Sequence, residues 1–399
     1  MDTESLLEKS RQPVAIVIGL DINGLGVARS LSRRRVPVLA LHDRSDSPYR
    51  LTRHARFRRV ESLSGRSLVK QIQQLSDRAR ERPVLFPTEE RTVETLVRHH
   101  KDLASCCRYK LPDGQLLERL TSKSGFDALA KKHGFLVPGT WTVDRSTYED
   151  VSAVEFPCIV KPSVKNDAYA RHCRKAYFVH DREELARVFE EVFPHVDEVV
   201  VQEWVPGGDE EIRFCLFYCS RPGHMDAAFV GRKLYSWPPG TGGTASCMPE
   251  LDGDVIEAVR SETERFVAAT DLVGMGSMEF KRHAVNGRFY MIEPTIGRTD
   301  YQEEVAALNG VNLPWAMYAD LVKGEIPEQK RTRRVRIWRD RHMPRWSAER
   351  QGRQCHVSPG SGVDSVWRWS DPLPGLYEGY RRLTKRLGRI RIGNVAGQA

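Results

Sequence analysis

The 399 residues contain no apolar run long enough to cross a bilayer. The longest early one, VAIVIGL at 14–20, falls far short of the roughly 18 residues a spanning helix needs. The hydrophilic MDTESLLEKSRQP before it lacks the pattern of a signal peptide, so a cytoplasmic protein with no membrane partner is expected. There are eight cysteines, but no CxxC and no Cys/His set at zinc-finger spacing, which excludes the common zinc modules. Reduced, mostly buried thiols are the expectation in a chain of this size. No internal repeat and no low-complexity stretch appears. A GxGxxG fingerprint is missing too: Gly19, Gly24 and Gly26 have the wrong spacing, and serve to let a helix and a strand approach closely.

What is present is an ordinary globular composition, 40% apolar and 29% charged, with length enough for two or three domains. The net charge of +9 is concentrated at one end. Residues 325–399 hold 17 Lys+Arg against 7 Asp+Glu, so the preceding 324 are close to neutral. Such a tail, with Trp338, Trp346, Trp367 and Trp369, raises the question of a polyanion. However, SDPLPGLYEGYRRLTKRLGR reads as a turn entering an amphipathic helix, and the segment is expected to pack on the body rather than grip nucleic acid.

VAIVIGLDINGLGVARSLSRRRVPVLALHD (14–43) reads as strand, helix over about 24–35 and strand, a βαβ unit whose parallel sheet must be covered on both faces. PVLFPTEE at 83–90 adds a strand and a following helix. LLERLTSKSGFDALAKKHG (116–134) predicts a helix stopped by Gly134, FPCIVKPS a short buried strand, and DREELARVFEEVF a helix capped by Asp181. Two β segments then flank Pro-Gly-Gly in EVVVQEWVPGGDEEIRFCLFYC, and a hairpin precedes a helix at about 302–323.

That hairpin joins SMEFKRH to RFYMIE through Asn286-Gly287. A two-residue turn would pair Phe280 with Glu293 and put Glu279 on the opposite face. A three-residue loop, Val285-Asn286-Gly287 with Gly287 left-handed, would set Glu279 directly against Glu293. Opposed carboxylates about 5 Å apart at Cβ repel unless a cation lies between them, and two oxygen donors suit Mg2+. Ser277, Lys281 and Thr295 share that face. Lys161, at the end of CIVKPS, and Lys123, near the start of the earlier helix, can each reach into a cleft. In VQEWVPGGDEEI, the Glu-Trp-Val end of a strand offers backbone groups to a purine edge, and Glu210 a ribose acceptor. Together these parts make a nucleoside-triphosphate site.

Their order resembles the ATP-grasp superfamily over roughly residues 14–325. The resemblance implies an N-terminal parallel α/β domain followed by an α+β, two-lobed ATP-grasp fold. Its boundaries would be 1–115 for a Rossmann-like unit, 116–325 for the ATP-grasp domain (small lobe 116–203, large lobe 204–325), and 326–399 for a basic extension. It implies ATP contacts from Lys161, Lys123, Gln202, Glu203, Trp204, Val205 and Glu210. Mg2+, or Mn2+ in its stead, would be held by Glu279, Glu293 and Thr295, the last standing where the family has asparagine. Arg298 would assist the acyl-phosphate step, one place later than the family's arginine, and Lys281, with Arg213 and Arg232, would anchor a carboxylate. The loop SVKNDAYARHCRK (163–175) falls where a glycine-rich phosphate lid lies in the family, with Arg171, Arg174 or Lys175 as substitutes for the missing glycines. KLYSWPPGTGGTAS and EPTIGRTDYQEEVAALNGVNLP look most like the carboxylate–amine ligase branch that includes D-aspartate ligase. The implied activity is ADP-forming coupling of a small-molecule carboxylate to an amine, in a cytoplasmic protein open to homodimer formation. The alternative is a degenerate nucleotide-binding module with a regulatory or scaffold role.

Overall fold

The computed structural model describes residues 3–146, 151, 153–163, 171–174, 176–357 and 362–396. Three sheets are built in chain order. The first is parallel, with strand order β3-β2-β1-β4, from β1 (Ala15–Ile18), β2 (Val38–His42), β3 (Arg56–Arg59) and β4 (Val84–Pro87). β1, β2 and β4 are buried at every residue, as parallel strands covered by helices on both faces must be. Gly24, in the helix Ile22–Ser32, marks the close approach of helix and turn: a Cβ there would lie 1.9 Å from the Gly19 carbonyl oxygen.

The second sheet, order β5-β8-β6-β7, is antiparallel and comprises β5 (Thr140–Asp144), β6 (Cys158–Pro162), β7 (Tyr177–Val179) and β8 (Glu198–Glu203). The third has seven strands in the order β13-β12-β9-β10-β11-β14-β15. Its members are β9 (Ile212–Cys219), β10 (Ala227–Trp237), β11 (Gly243–Pro249), β12 (Gly274–Arg282), β13 (Phe289–Ile296), β14 (Ile337–Arg339) and β15 (Gly362–Asp364). The C-terminal part therefore extends the large sheet, and Trp338 on β14 is fully buried there.

Several expected elements differ. The helix over 116–134 is two, Gly114–Thr121 and Lys123–Lys132, because Ser122 turns extended (ψ 131°) and caps the second through its hydroxyl, which accepts from Gly125 N. The helix over 302–323 also splits, into Glu303–Leu308 and Leu313–Lys323. Between them Gly310 has φ +97° and runs so close to Lys330 that a Cβ would meet its carbonyl at 2.0 Å.

The hairpin reaches the expected pairing by another route. Arg282 pairs with Phe289, and His283 N donates to Arg288 O at 2.8 Å, so four residues, 284–287, form the loop. Gly287 is left-handed, φ +70°. A shift in register between Glu279 and Phe280, with Ile292 as the extra residue, then sets Glu279 against Glu293 and Ser277 against Thr295.

Candidate active site

The segments after β1 and β4, together with the second and third sheets, line a cavity of about 740 Å3. Lys123, Lys161, Gln202, Glu203, Trp204, Val205, Glu279, Lys281, Glu293, Thr295 and Arg298 line it, brought together from across residues 123–298 by the helix Lys123–Lys132 and by β6, β8, β12 and β13 with the turns after them. Glu210 does not line it: its carboxylate faces Arg353 at 3.5 Å. Arg213 and Arg232 are opposite each other on β9 and β10, and neither lines the cavity; Arg213 pairs with Glu250 at 2.5 Å. Of the expected lid, residues 164–170 and 175 lie outside the described residues; Arg174 is described, with its guanidinium 5.6 Å from the Tyr177 ring centroid.

Lys123 is the first residue of its helix, and its Nζ donates to Pro162 O at 2.9 Å, beside the end of the strand that carries Lys161. Lys161 Nζ approaches Gln202 Oε1 at 3.4 Å across the β6–β8 pair. Two ammonium groups are thus held at one strand end, where they suit an anionic ligand. The hinge is fixed at both ends: Glu203 N donates to Gly139 O (2.8 Å), Trp204 N to Pro157 O (3.1 Å), and Gly139 N to the Glu203 carboxylate (2.9 Å). Phe178 meets the Trp204 ring edge-on at 4.9 Å.

On the opposite wall Lys281, only 6% exposed, has its Nζ 3.3 Å from the Trp204 ring centroid. Burial lowers its pKa to about 8, against the pull of Asp209 and Glu279. Two strands along the sheet, beyond Ile212, stands a residue not foreseen. Lys233 on β10 is 4% exposed, and its Nζ lies 2.6 Å from Glu279. Burial works to lower the Lys233 pKa, but Glu279, Asp300 and Asp209 outweigh it and hold the ammonium charged. The signal was a lysine inside VGRKLYSW, a stretch that reads as a strand, where an inward charge needs a partner.

Asp300 accepts from Ser277 Oγ (3.0 Å) and Gln302 N (2.9 Å), and burial raises its pKa despite those bonds. Arg298 is aimed by its neighbours. Its Nη1 donates to Thr299 O, while Asn23 of the first βα turn donates to that same oxygen at 2.8 Å and accepts from Thr299 Oγ1 at 2.9 Å. Gly297 before it has φ +75°, and a Cβ there would lie 2.8 Å from Val93 Cγ1. The N-terminal sheet therefore positions the loop after β13. Asp209, next to Glu210, accepts from Ser236 N and Gly240 N and so fixes the glycine-rich rim 240–243.

The donor set fits Mg2+. Among the described residues no group of three or more His, Cys, Asp or Glu forms a self-sufficient metal cage. Two opposed carboxylates beside an open cavity lined by both acids and bases suit an ion that keeps water and takes its other ligands from phosphate oxygens. Glu279 is engaged by the Lys233 ammonium at 2.6 Å, so a bound cation would share that carboxylate with it.

Neither a family model nor a curated protein sequence matches the chain. Solved structures do. The chain is similar to an ADP complex of the purK N5-carboxyaminoimidazole ribonucleotide synthetase, at 14% identity and a TM-score of 0.63, over 82% of this chain and 80% of that one. The biotin carboxylase of Campylobacter jejuni in a β,γ-ATP complex gives 13% and 0.64, over 82% and 75%. The biotin carboxylase domain of the Hydrogenobacter thermophilus 2-oxoglutarate carboxylase, with MgADP, ADP and bicarbonate, gives 13% and 0.60, over 82% and 74%. The likeness defines the fold: an N-terminal parallel α/β unit followed by a two-lobed ATP-grasp fold.

Proposed function

We propose that the protein is an ATP- and Mg2+-dependent ligase that activates a carboxylate as an acyl phosphate and couples it to an amine, releasing ADP. The observation that carries this reading is the single cavity in which Lys123, Lys161, the 202–205 hinge, Glu279, Glu293 and Arg298 meet. The fold neighbours support it, since each of the three holds an adenine nucleotide and one holds MgADP with bicarbonate. A carboxylate is a poor electrophile. Attack of its oxygen on the γ-phosphorus, with departure of ADP, makes the carbonyl carbon reactive, and the amine nitrogen then displaces phosphate.

Lys161 and Lys123 bind the phosphates, Trp204 and Val205 flank the base, and Glu279, Glu293 and Thr295 hold the cation. When bound there, Mg2+, or Mn2+ in its stead, would supply charge neutralisation for phosphoryl transfer. Arg298, held by the Thr299 carbonyl that Asn23 in turn fixes, steadies the transferring phosphoryl group. Lys281 holds the carboxylate substrate or a phosphate oxygen. Glu210 would reach a ribose only by leaving Arg353. We take the functional units to be residues 1–115, 116–325 and 326–399, and the D-aspartate ligase branch to be the closest chemistry, on the two segments quoted above. The protein then works in the cytoplasm, and a homodimer is compatible with the site.

Calorimetric titration of a non-hydrolysable ATP analogue, with and without Mg2+, tests the reading. Magnesium-dependent binding by the wild type, lost in Lys161→Ala and Glu293→Gln, supports it, and an ADP-release screen of acid–amine pairs follows. No binding by the wild type sinks it. Binding without turnover across the screen favours the degenerate module.

A further inference from the structure

The helix Leu373–Ala396 leaves its apolar side uncovered over residues 373–383. It docks through a different side. The Arg50 guanidinium lies 5.6 Å from the Tyr377 ring centroid, Glu378 pairs with Arg341, and Arg381 bonds the Asp46 carboxylate at 2.5 Å and its carbonyl at 2.8 Å. At ~100° per residue those contacts fill one arc. Leu373, Leu376, Tyr380 and Leu383 fall on another arc roughly opposite, and are 54%, 56%, 61% and 62% exposed. Trp369, just before the helix, is 89% exposed. The sequence continues the 3-4 spacing with Leu387 and Ile390.

The helix carries six basic residues (Arg381, Arg382, Lys385, Arg386, Arg389, Arg391) and one acid, Glu378. That charge decides between occupants. In a parallel pair of copies, the heptad register sets Arg386 of one helix against Arg391 of the other, with no acid at either flank to relieve them. Four glycines, at 375, 379, 388 and 393, further weaken a helix meant to zip with another. An apolar stripe bearing tyrosine and a neighbouring tryptophan, in a helix whose sequence is rich in arginine, instead matches the boundary between hydrocarbon and anionic headgroups. We propose that this helix docks the protein on the surface of an anionic lipid bilayer, lying in the interface without crossing it. No helix among the described residues is long and apolar enough to span. The inference is independent of the ligase reading, because the stripe lies outside the cavity.

The test is co-sedimentation of the full chain with phosphatidylcholine vesicles, with and without phosphatidylglycerol. Binding is expected with phosphatidylglycerol, weakened by salt. Leu376→Glu with Leu383→Glu should reduce it about tenfold or more, since it removes two buried apolar side chains and adds like charge to the lipid's, while ATP-analogue binding stays unchanged. Arg386→Glu with Arg389→Glu, which spares the stripe, should weaken binding to the anionic vesicles as well. Four results overturn the proposal: no sedimentation, equal sedimentation with phosphatidylcholine alone, unchanged binding by both variants, or a dimer by light scattering that the leucine variant dissolves while vesicles are ignored.

Discussion

Lys281 and Lys233 are both buried lysines, yet their environments push them in opposite directions. A lysine whose pKa falls to about 8 on folding binds fewer protons than the unfolded chain between about pH 8 and its ordinary 10.5. Stability therefore rises with pH through that window, and below it the whole penalty is present. Lys281→Met is expected to stabilise the ligand-free protein by up to about 3 kcal/mol at pH 7, an advantage that fades toward pH 10; urea titrations at the two pH values check this. For the other lysine the sign reverses. Glu279→Gln leaves the Lys233 ammonium buried without its partner and should cost on the order of 3 kcal/mol, most of it regained in the Lys233→Met, Glu279→Gln double variant. Denaturation of the four proteins of that cycle gives the coupling. Residue chemistry was the most legible level of this sequence, since an acid in MIEPT or a lysine ending CIVKPS raises its own question. Lys233 escaped because its strand was not delimited, and Glu210 looked usable because the partner Arg353 lies 143 positions away.

Among elements, the β12–β13 hairpin shows how a correct pairing can rest on a wrong loop. Local turn chemistry identified Gly287 as left-handed, but a bulge depends on what the strand packs against, and the one at Ile292 offsets a loop one residue longer than expected. The two split helices fail for a related reason. Apolar periodicity continues through Ser122 and Gly310, while the break is imposed by a cap in one case and by contact with Lys330 in the other. Two glycines with nearly equal φ separate conformational strain from packing. At Gly287 a Cβ would meet only Arg282 Nη2 at 3.9 Å, an ordinary contact, so Gly287→Ala should cost about 1 kcal/mol and leave nucleotide binding unchanged. At Gly297 a Cβ would lie 2.8 Å from Val93 Cγ1 and 3.0 Å from Leu111 Cδ2. Gly297→Ala should therefore cost 1–2 kcal/mol more and displace Arg298, so that ADP release falls by more than about tenfold with analogue affinity retained. Thermal melts and steady-state assays distinguish the pair.

At the scale of the molecule, the first βα unit is held by residues from the far end of the chain, a connection that no local pattern announces. Arg29, 1% exposed, donates to the carboxylate of Asp371 at 2.9 Å, to Ser365 O at 2.7 Å and to Val366 O at 2.9 Å. Glu304 joins the same cluster, taking Arg368 at 2.9 Å and the Trp338 indole at 3.2 Å. Asp371→Ala should destabilise the whole protein by about 3–5 kcal/mol, in a single transition if the units unfold together, as calorimetry would register. This clamp also has a temporal side. Its two halves are separated by 342 residues, which a ribosome adding roughly 5–20 residues per second needs about 20–70 s to make. Throughout that interval the helix Ile22–Ser32 carries a guanidinium that must stay hydrated, so the nascent N-terminal unit waits, incompletely closed, until residues 365–371 have been made.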